Sequence, residues 1–255
     1  MKTPLHHKLR KTKSLSQILK MIPEGSVVDS HMLFDGDIEL SLAEYQRFVC
    51  ARTTQYVVYE FWDCLLKDAN RIYNIVDNEY FKFNEKVFEH LQENWAKEQG
   101  EYIRSALFFM LNRCSSTGDI SFGELSLENY NRMALGNLKT FKSPENFHLI
   151  FDNCSFIESI CSESDADYSI VNIGNFSHDL FIDGKSYGLE ETKFRHSELK
   201  ECVLSSNKKI ALIYKNSESL KRFYSDTNLP TYHINKYGKI EQNFKNCTEV
   251  IIANF

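Results

Sequence analysis

Long apolar runs are absent from the sequence, and proline and glycine are scarce. No apolar stretch among the 255 residues approaches the roughly 18 consecutive residues that a membrane-spanning helix needs, so we expect no contact with a membrane. Four prolines and ten glycines exclude a collagen-like or low-complexity chain. The basic start of the chain is not followed by the apolar segment of a secretory signal, and we therefore predict a cytoplasmic protein.

Closely spaced metal ligands are also missing. The seven cysteines are scattered, and none of them forms a Cys-x-x-Cys pair. Zinc sites need tighter ligand spacing than this, and the adjacent His6 and His7 have no further ligand close by in the sequence. The pattern predicts reduced thiols and no metal site.

The chain as a whole has no excess of positive charge, because its net charge is −5. The first thirteen residues differ, because they carry five cations and no acid: Lys2, Lys8, Arg10, Lys11 and Lys13. A basic arm of this kind can contact phosphates. The alternative interpretation is a solvated terminus with no partner.

Strand and helix patterns alternate at both ends of the chain, with a helical block between them. The predicted strands are 26–34, 55–61, 154–159, 167–173, 208–214, 230–235 and 248–255. The predicted helices are 14–22, 63–76, 84–99, 101–114, 188–206 and 218–226. Residues 115–141 loosen into an expected hairpin or irregular loop.

This order predicts an α/β fold with a mostly parallel sheet, an antiparallel C-terminal edge pair and an inserted helical subdomain. We assign residues 1–76 and 150–255 to the α/β domain and residues 77–149 to the insert.

Several strings, in this order, resemble the Dam-type DNA adenine-N6 methyltransferases. The most specific is "YIRSALFFMLNRCSSTG", in which Leu-Asn-Arg at 111–113 matches the family and Thr-Gly at 117–118 replaces its Asn-Gly. "RIYNIV", "KKIALIY", "ESLKRFYSD" and "TEVIIANF" fit the family's order as well. The resemblance implies a Rossmann-like fold that uses S-adenosylmethionine, with a DNA-recognition role for the insert.

The resemblance also implies where a cofactor would bind. The family's Lys-Trp-x-Gly-Gly-Lys segment falls on "KLRKTK", which ends at Lys13 and has lost both glycines. Its glycine-rich turn falls on Phe34 and Gly36, with Ile38 at the second glycine position. An acid for the ribose hydroxyls falls on Glu60, at the end of the predicted second strand. We expect these positions to be vestigial.

The catalytic motif of the family, Asp-Pro-Pro-Tyr, falls at the end of the strand at 167–173. Asn172 stands at the Asp position, Ile173 and Gly174 at the prolines, and Asn175 at the Tyr, while Phe176 is the nearest ring. Neither Ile nor Gly fixes φ as proline does, so the backbone carbonyl is no longer aimed at a target amine.

DNA contacts are expected from Lys8, Arg10 and Lys11 in the basic arm and from Arg104 and Arg113 in the insert. Three degraded motifs together favour a protein that has lost catalysis and serves in binding or assembly. It would need no cofactor, with double-stranded DNA or another protein as its partner.

Two alternatives stay open. One is an active site-specific DNA adenine-N6 methyltransferase using S-adenosylmethionine. The other is a structural subunit of a viral particle or complex. The richness in Asn, Lys, Ile, Phe and Ser is typical of a phage or of a bacterium of low GC content, so a viral particle is the alternative location.

Overall fold

The computed structural model describes residues 2–7, 12–78, 84–120, 123–177 and 194–255. No helix within these ranges is long and apolar enough to cross a membrane.

Seven strands form one mixed sheet in the order β3-β2-β1-β4-β5-β7-β6. Strands β3, β2, β1, β4 and β5 are parallel, and β7 runs antiparallel to both β5 and β6. The strands are β1 Val27–His31, β2 Phe48–Thr53, β3 Phe147–Phe151, β4 Tyr168–Gly174, β5 Lys209–Lys215, β6 Thr231–Asn235 and β7 Cys247–Ala253. The α/β class, the mostly parallel sheet and the antiparallel C-terminal pair are thereby confirmed, and the architecture is compatible with a Rossmann-like fold.

Helices cover both faces of the sheet. They are α1 Leu15–Met21, α2 Asp37–Glu44, α3 Tyr56–Asn78, α4 Glu85–Asn94, α5 Glu101–Cys114, α6 Arg132–Lys139, α7 Phe156–Cys161, α8 His196–Ser205 and α9 Glu218–Phe223. Short 3-10 helices lie at Trp95–Lys97 and Phe244–Asn246.

The alternation of side chains along each strand divides the buried residues into two cores. On β5, Ala211 and Ile213 belong to a first core with residues of α2, α3 and α5. Ile210 and Leu212 belong to a second core with residues of α7, α8 and α9. The sheet is therefore buried on both faces, as a parallel sheet requires.

The predicted strand at 55–61 is wrong, because these residues begin the long helix α3. Val and Tyr favour strands, but Val57, Val58, Phe61 and Leu65 recur at helical spacing and all are buried in the first core. The second strand instead precedes this segment, at Phe48–Thr53.

The predicted strand at 154–159 is also wrong, because helix α7 begins there. The Ser155 hydroxyl accepts from the backbone N–H of Glu158, and the Glu158 carboxylate accepts from the backbone N–H of Ser155. This capping box satisfies two N–H groups at the helix start. The preceding strand β3, at Phe147–Phe151, was not predicted.

Two other expectations change in detail. Helix α6 and an isolated bridge between Ser115 and Leu125 lie in the region expected to be loop or hairpin. Of the predicted helix 188–206, the described part is helical from His196, and residues 188–193 lie outside the described residues. Cys161 of α7 and Cys202 of α8 form a disulfide, with their Cα atoms 6.1 Å apart, so these two thiols are not free as predicted.

The division into a 1–76 plus 150–255 domain and a 77–149 insert stays a prediction. Helix α5 of that insert shares the first core with α3, and strand β3 begins inside its boundary.

Candidate functional site at the carboxyl edge of the sheet

Parallel sheets bind ligands in the crevice outside the carboxyl ends of their strands, at the point where the strand order reverses. The reversal lies between β1 and β4 here, because β2 and β3 continue to one side and β5 to the other. The candidate site therefore consists of the segments that follow β1 and β4, with the neighbouring ends of β2 and β3.

The turn after β1 contains Phe34 and Gly36, as the sequence predicted. Gly36 has φ 72° and ψ 11°, and it precedes helix α2. An added Cβ at Gly36 would lie 2.4 Å from ring atoms of Trp62. The Trp62 indole N–H also donates to the carbonyl oxygen of Phe34, at 2.8 Å. The glycine conformation is present, but the space beside the glycine is occupied by an indole that is fully buried.

An ion network joins strand β1, the end of β2 and the segment that follows β3. The Arg52 guanidinium donates from Nε to Asp29 Oδ1 and from Nη1 to Asp152 Oδ1, at 3.0 Å in each case. The exposed fractions of the side chains are 3% for Asp29, 17% for Arg52 and 14% for Asp152. We call these three residues the Arg52 network. The network was not predicted from the sequence, because strand β3 was not predicted and the position of Asp152 was therefore unknown.

His31 extends the Arg52 network toward helix α7. The Ser159 hydroxyl donates to Asp152 Oδ2 at 2.6 Å and lies 3.1 Å from His31 Nδ1. Since the hydroxyl has only one proton to give, Nδ1 of His31 carries the proton and donates to Ser159. Nε2 is then an acceptor, and it meets no hydrogen-bond partner among the described residues. Burial lowers the pKa of His31 to about 4, with Asp29 opposing, so the imidazole is neutral at pH 7.

The end of β4 carries the predicted catalytic positions. Asn172 is buried, and the ladder to β5 shifts its register between Asn172 and Gly174. Gly174 has φ 77°, a conformation that glycine adopts without strain. Asn175 and Phe176 follow and are half-buried. The backbone of this motif is set by a bulge and a glycine instead of by proline.

Phe176 packs into a cluster of rings at the same strand end. Its ring centroid lies 4.4 Å from that of His196 and 5.2 Å from that of Phe223. His196 Nε2 donates to the Ser177 carbonyl at 2.7 Å, so its Nδ1 accepts from the Tyr214 hydroxyl at 3.0 Å. These contacts occupy both nitrogens of His196 and hold the ring against Phe176.

Lys13 lies at the carboxyl edge near β5 and β7. Its backbone N–H donates to Glu249 Oε2 at 2.7 Å, and the same oxygen accepts from Ser14 Oγ at 2.7 Å. Burial raises the pKa of Glu249, but bonds from Lys215 and Ser14 outweigh it and leave the pKa below its usual value. The Lys13 side chain is exposed. Lys8, Arg10 and Lys11 lie outside the described residues.

Glu60 and Arg104, predicted for different roles, meet each other. Arg104 Nε donates to Glu60 Oε2 at 2.7 Å, and Nη1 donates to the Glu98 carbonyl at 2.9 Å. The prediction that Glu60 ends the second strand is wrong, because Glu60 lies in the first turns of α3. The pair instead joins α3 to α5.

Arg113 and its neighbour Asn112 hold the start of the chain. Arg113 Nε donates to the Pro4 carbonyl at 2.6 Å, and burial lowers the pKa of Arg113 to about 10. The Asn112 amide accepts from the His6 backbone N–H at 2.7 Å and donates to the His6 carbonyl at 2.6 Å. The Leu-Asn-Arg string thus fastens the segment at 2–7 to the end of α5.

The described residues contain no group of three or more His, Cys, Asp or Glu side chains that could hold a metal ion. The fold and this edge define an α/β protein compatible with the Rossmann-like class. No model of a known protein family matches the chain. The chain is similar to arylphorin subunit C223 of Calliphora vicina, with 28% identity over 162 residues. The match covers 59% of this chain and 19% of that protein, so the chain spans about a fifth of that relative's length.

Proposed function

We propose that this chain is a methyltransferase-like protein that has lost methyl transfer and serves in DNA binding or assembly. The observation that supports this most is the turn after β1, where the Trp62 indole fills the space beside Gly36. A cofactor at such a turn needs close approach to the backbone. Trp62 blocks that approach, because its ring would have to move before another group could enter the space beside Gly36.

The neighbouring strand ends support the same proposal. The Arg52 network places a half-buried guanidinium and two carboxylates near the edge where a bound ligand would lie. Gly174 gives the end of β4 a bulge where the family has a rigid diproline. Displacing the network would leave charges buried without partners, which is strongly unfavourable.

The basic arm carries the proposed DNA contact. Arg104 and Arg113 are engaged with Glu60 and with the Pro4 carbonyl, so we assign them to holding the fold. The cations that stay available to the proposal are Lys8, Arg10 and Lys11.

Electrophoretic mobility shifts with a duplex over a series of salt concentrations test this assignment. A triple variant, Lys8→Ala, Arg10→Ala and Lys11→Ala, should weaken binding and reduce the slope of log affinity against log salt by up to about 3. The matched control is Lys20→Ala, Lys86→Ala and Lys142→Ala, which removes the same charge from exposed positions. Equal effects of the two triple variants would contradict a role for the arm.

An active adenine methyltransferase is the second candidate. Asn172 at the end of β4, whose amide can still accept a hydrogen bond, and the left-handed Gly36 after β1 favour it. Transfer of a labelled methyl group from S-adenosylmethionine to duplex DNA separates the candidates. The proposal predicts no transfer by the wild type, whereas transfer that is lost in Asn172→Ala would establish the enzyme. A structural subunit of a particle would show neither methyl transfer nor salt-dependent DNA binding.

A further inference from the structure

A second cavity lies away from the β1–β4 crevice, between helix α9 and the antiparallel pair β6–β7. Its volume is about 260 Å³. Its polar and aromatic lining includes Asn216, Lys221, Tyr224, Thr231, His233 and Phe244. Leu220, Val250 and Ile252 complete its apolar floor.

Three buried polar atoms of the residues that line this cavity meet no hydrogen-bond partner among the described residues. They are Asn216 Oδ1, His233 Nδ1 and the Tyr224 hydroxyl oxygen. The Asn216 amide is fixed, because its Nδ2 donates to the carbonyl oxygens of Phe244 and Cys247 at 3.1 Å each. Oδ1 is thereby held as an acceptor. A buried acceptor without a donor is unfavourable by about 1–3 kcal/mol, which a ligand with a suitable N–H group would relieve.

The walls of the cavity suit a planar ring. The His233 and Phe244 rings lie at 81° with centroids 5.6 Å apart. Burial, and the nearby Lys221 charge, lower the pKa of His233, so its imidazole is neutral at pH 7. Burial raises the pKa of Tyr224 to about 12, so its phenol is neutral as well. These uncharged aromatic groups and the apolar floor form a site for a heterocycle and not for an ion.

One cationic side chain, Lys221, lines the same cavity. The Lys221 Nζ lies 4.5 Å from the centroid of the Phe244 ring. Its side chain is exposed, so the ammonium group is accessible from solvent. The cavity therefore combines an aromatic wall, a fixed acceptor and a positive charge.

We infer that this cavity binds a nucleotide whose base carries an amino group. The amino N–H would donate to Asn216 Oδ1, the base would pack against Phe244 and His233, and the phosphate would lie near Lys221. The base can come from a free nucleotide or from single-stranded nucleic acid, since both present the same groups. The inference does not depend on the proposed function, because none of these residues belongs to the β1–β4 crevice.

Calorimetric titration of the full chain tests the site with AMP, adenosine, purine riboside monophosphate and a short single-stranded oligoadenylate. We expect AMP to bind more tightly than adenosine, because adenosine lacks the phosphate, and more tightly than purine riboside monophosphate, because that nucleotide is AMP without the amino group. Tighter binding of the oligonucleotide than of AMP would identify nucleic acid as the source of the base, and the reverse would identify the free nucleotide. Absence of binding by both would overturn the inference.

Two variants and a control test whether AMP binds in this cavity. Phe244→Leu removes the ring against which the base would pack, and it should weaken AMP about five- to tenfold. Lys221→Met should weaken AMP about threefold and leave adenosine unchanged. Lys139→Met is the matched control, because Lys139 Nζ also lies over a ring, 4.8 Å from the Tyr73 centroid, but far from this cavity in the fold. AMP binding that neither cavity variant alters, or that S-adenosylmethionine displaces, would contradict the inference and point to the β1–β4 crevice.

Discussion

Each face of the sheet contains a buried titratable group, and the pKa values of the two groups shift in opposite directions. The two β1 residues involved, Ser30 and His31, are neighbours in the chain. Ser30 points to the first core, and its hydroxyl donates to Glu39 Oε1 of α2 at 2.8 Å. His31 points to the second core and donates to Ser159 of α7 at 3.1 Å. Burial raises the pKa of Glu39 to about 7, with the Ser30 hydroxyl opposing, and lowers the pKa of His31 to about 4.

Both shifts have the same main cause, because burial disfavours the charged form and so raises the pKa of a carboxyl and lowers that of an imidazole. Under α2 and α3 the first face is closed by apolar and aromatic side chains such as Trp62 and Phe61, so a carboxyl there keeps its proton. Under α7 the second face contains the Arg52 network, which holds its charges as pairs. At this edge of the sheet, apolar side chains therefore pack on one face, and the ion-paired side chains of the Arg52 network lie on the other.

Breaking the ionic face should have the largest effect. Arg52→Leu leaves Asp29 and Asp152 without their shared cation, and we expect the free energy of unfolding to fall by about 3 kcal/mol. Urea denaturation followed by circular dichroism measures this.

A surface pair is the control for the Arg52 variant. Lys67 Nζ lies 2.6 Å from Asp63 Oδ2, but 62% of the Lys67 side chain is exposed. Lys67→Leu should cause no measurable loss, because exposed pairs are screened by solvent. Similar losses in the two variants would show that the Arg52 network is no more buried in solution than a surface pair.

Breaking the packed face should have the next effect. Gly36→Ala combines a left-handed backbone with a contact to Trp62, and we expect a loss of about 2 kcal/mol. Gly25→Ala is the control, because Gly25 has φ 78° but nothing within 4 Å of an added Cβ, so only about 1 kcal/mol should be lost. Thermal and urea unfolding of both variants give the difference.

Trp62→Phe in the Gly36→Ala background sharpens that test. Phenylalanine lacks the Cζ2 and Cη2 atoms that an alanine Cβ would meet. The two substitutions should therefore be less destabilising together than the sum of their separate effects. Strictly additive losses would mean that Trp62 does not lie against Gly36.

The pH dependence of stability separates the two faces. The pKa of Glu39 rises from 4.5 to about 7 on folding, so the folded state holds one more proton between these values. Its stabilising contribution is full below pH 4.5 and is lost as the pH rises to about 7. Glu39→Gln should remove this loss. Between pH 4 and pH 8, the free energy of unfolding of the variant should rise relative to that of the wild type by up to about 3 kcal/mol. Urea titrations at several pH values measure it.

His31 should show the reverse slope. Its pKa falls from 6.5 to about 4 on folding, so its contribution is full above pH 6.5 and is lost as the pH falls to about 4. The two slopes oppose each other between pH 4.5 and 6.5. His31→Phe should therefore expose the Glu39 slope, in which stability falls as the pH rises, and Glu39→Gln should expose the His31 slope. Parallel pH profiles of the two variants would refute the assignment of opposite pKa shifts to Glu39 and His31.

The sequence predicted the parts of the fold whose pattern is local. Strands β4, β5 and β7 contain short apolar runs, and α5 has a wide apolar face, so each was found near its observed place. Strand β2 was not predicted, and the start of α3 was predicted as a strand, since Val57 and Val58 favour a strand while their burial against α5 requires a helix. The capping box at Ser155 would have revealed α7.

The candidate site was predictable only in part. Gly36 and Asn172 follow strands β1 and β4 closely enough to be placed from the sequence. The Arg52 network depends on the register between β1 and β2 and on the position of β3, which no single segment contains. Trp62 is 26 residues from Gly36 in the chain, and only the packing of α3 on the sheet brings them together.

Calorimetric titration of S-adenosylmethionine into the wild-type protein tests the central claim most directly. The Trp62 indole occupies the space beside Gly36 and the Arg52 network joins β1 to β2, so we predict no heat of binding up to millimolar ligand. A one-to-one isotherm with micromolar affinity that Arg52→Leu or Gly36→Ala abolishes would contradict the account, because it would show that a methyl donor enters that edge.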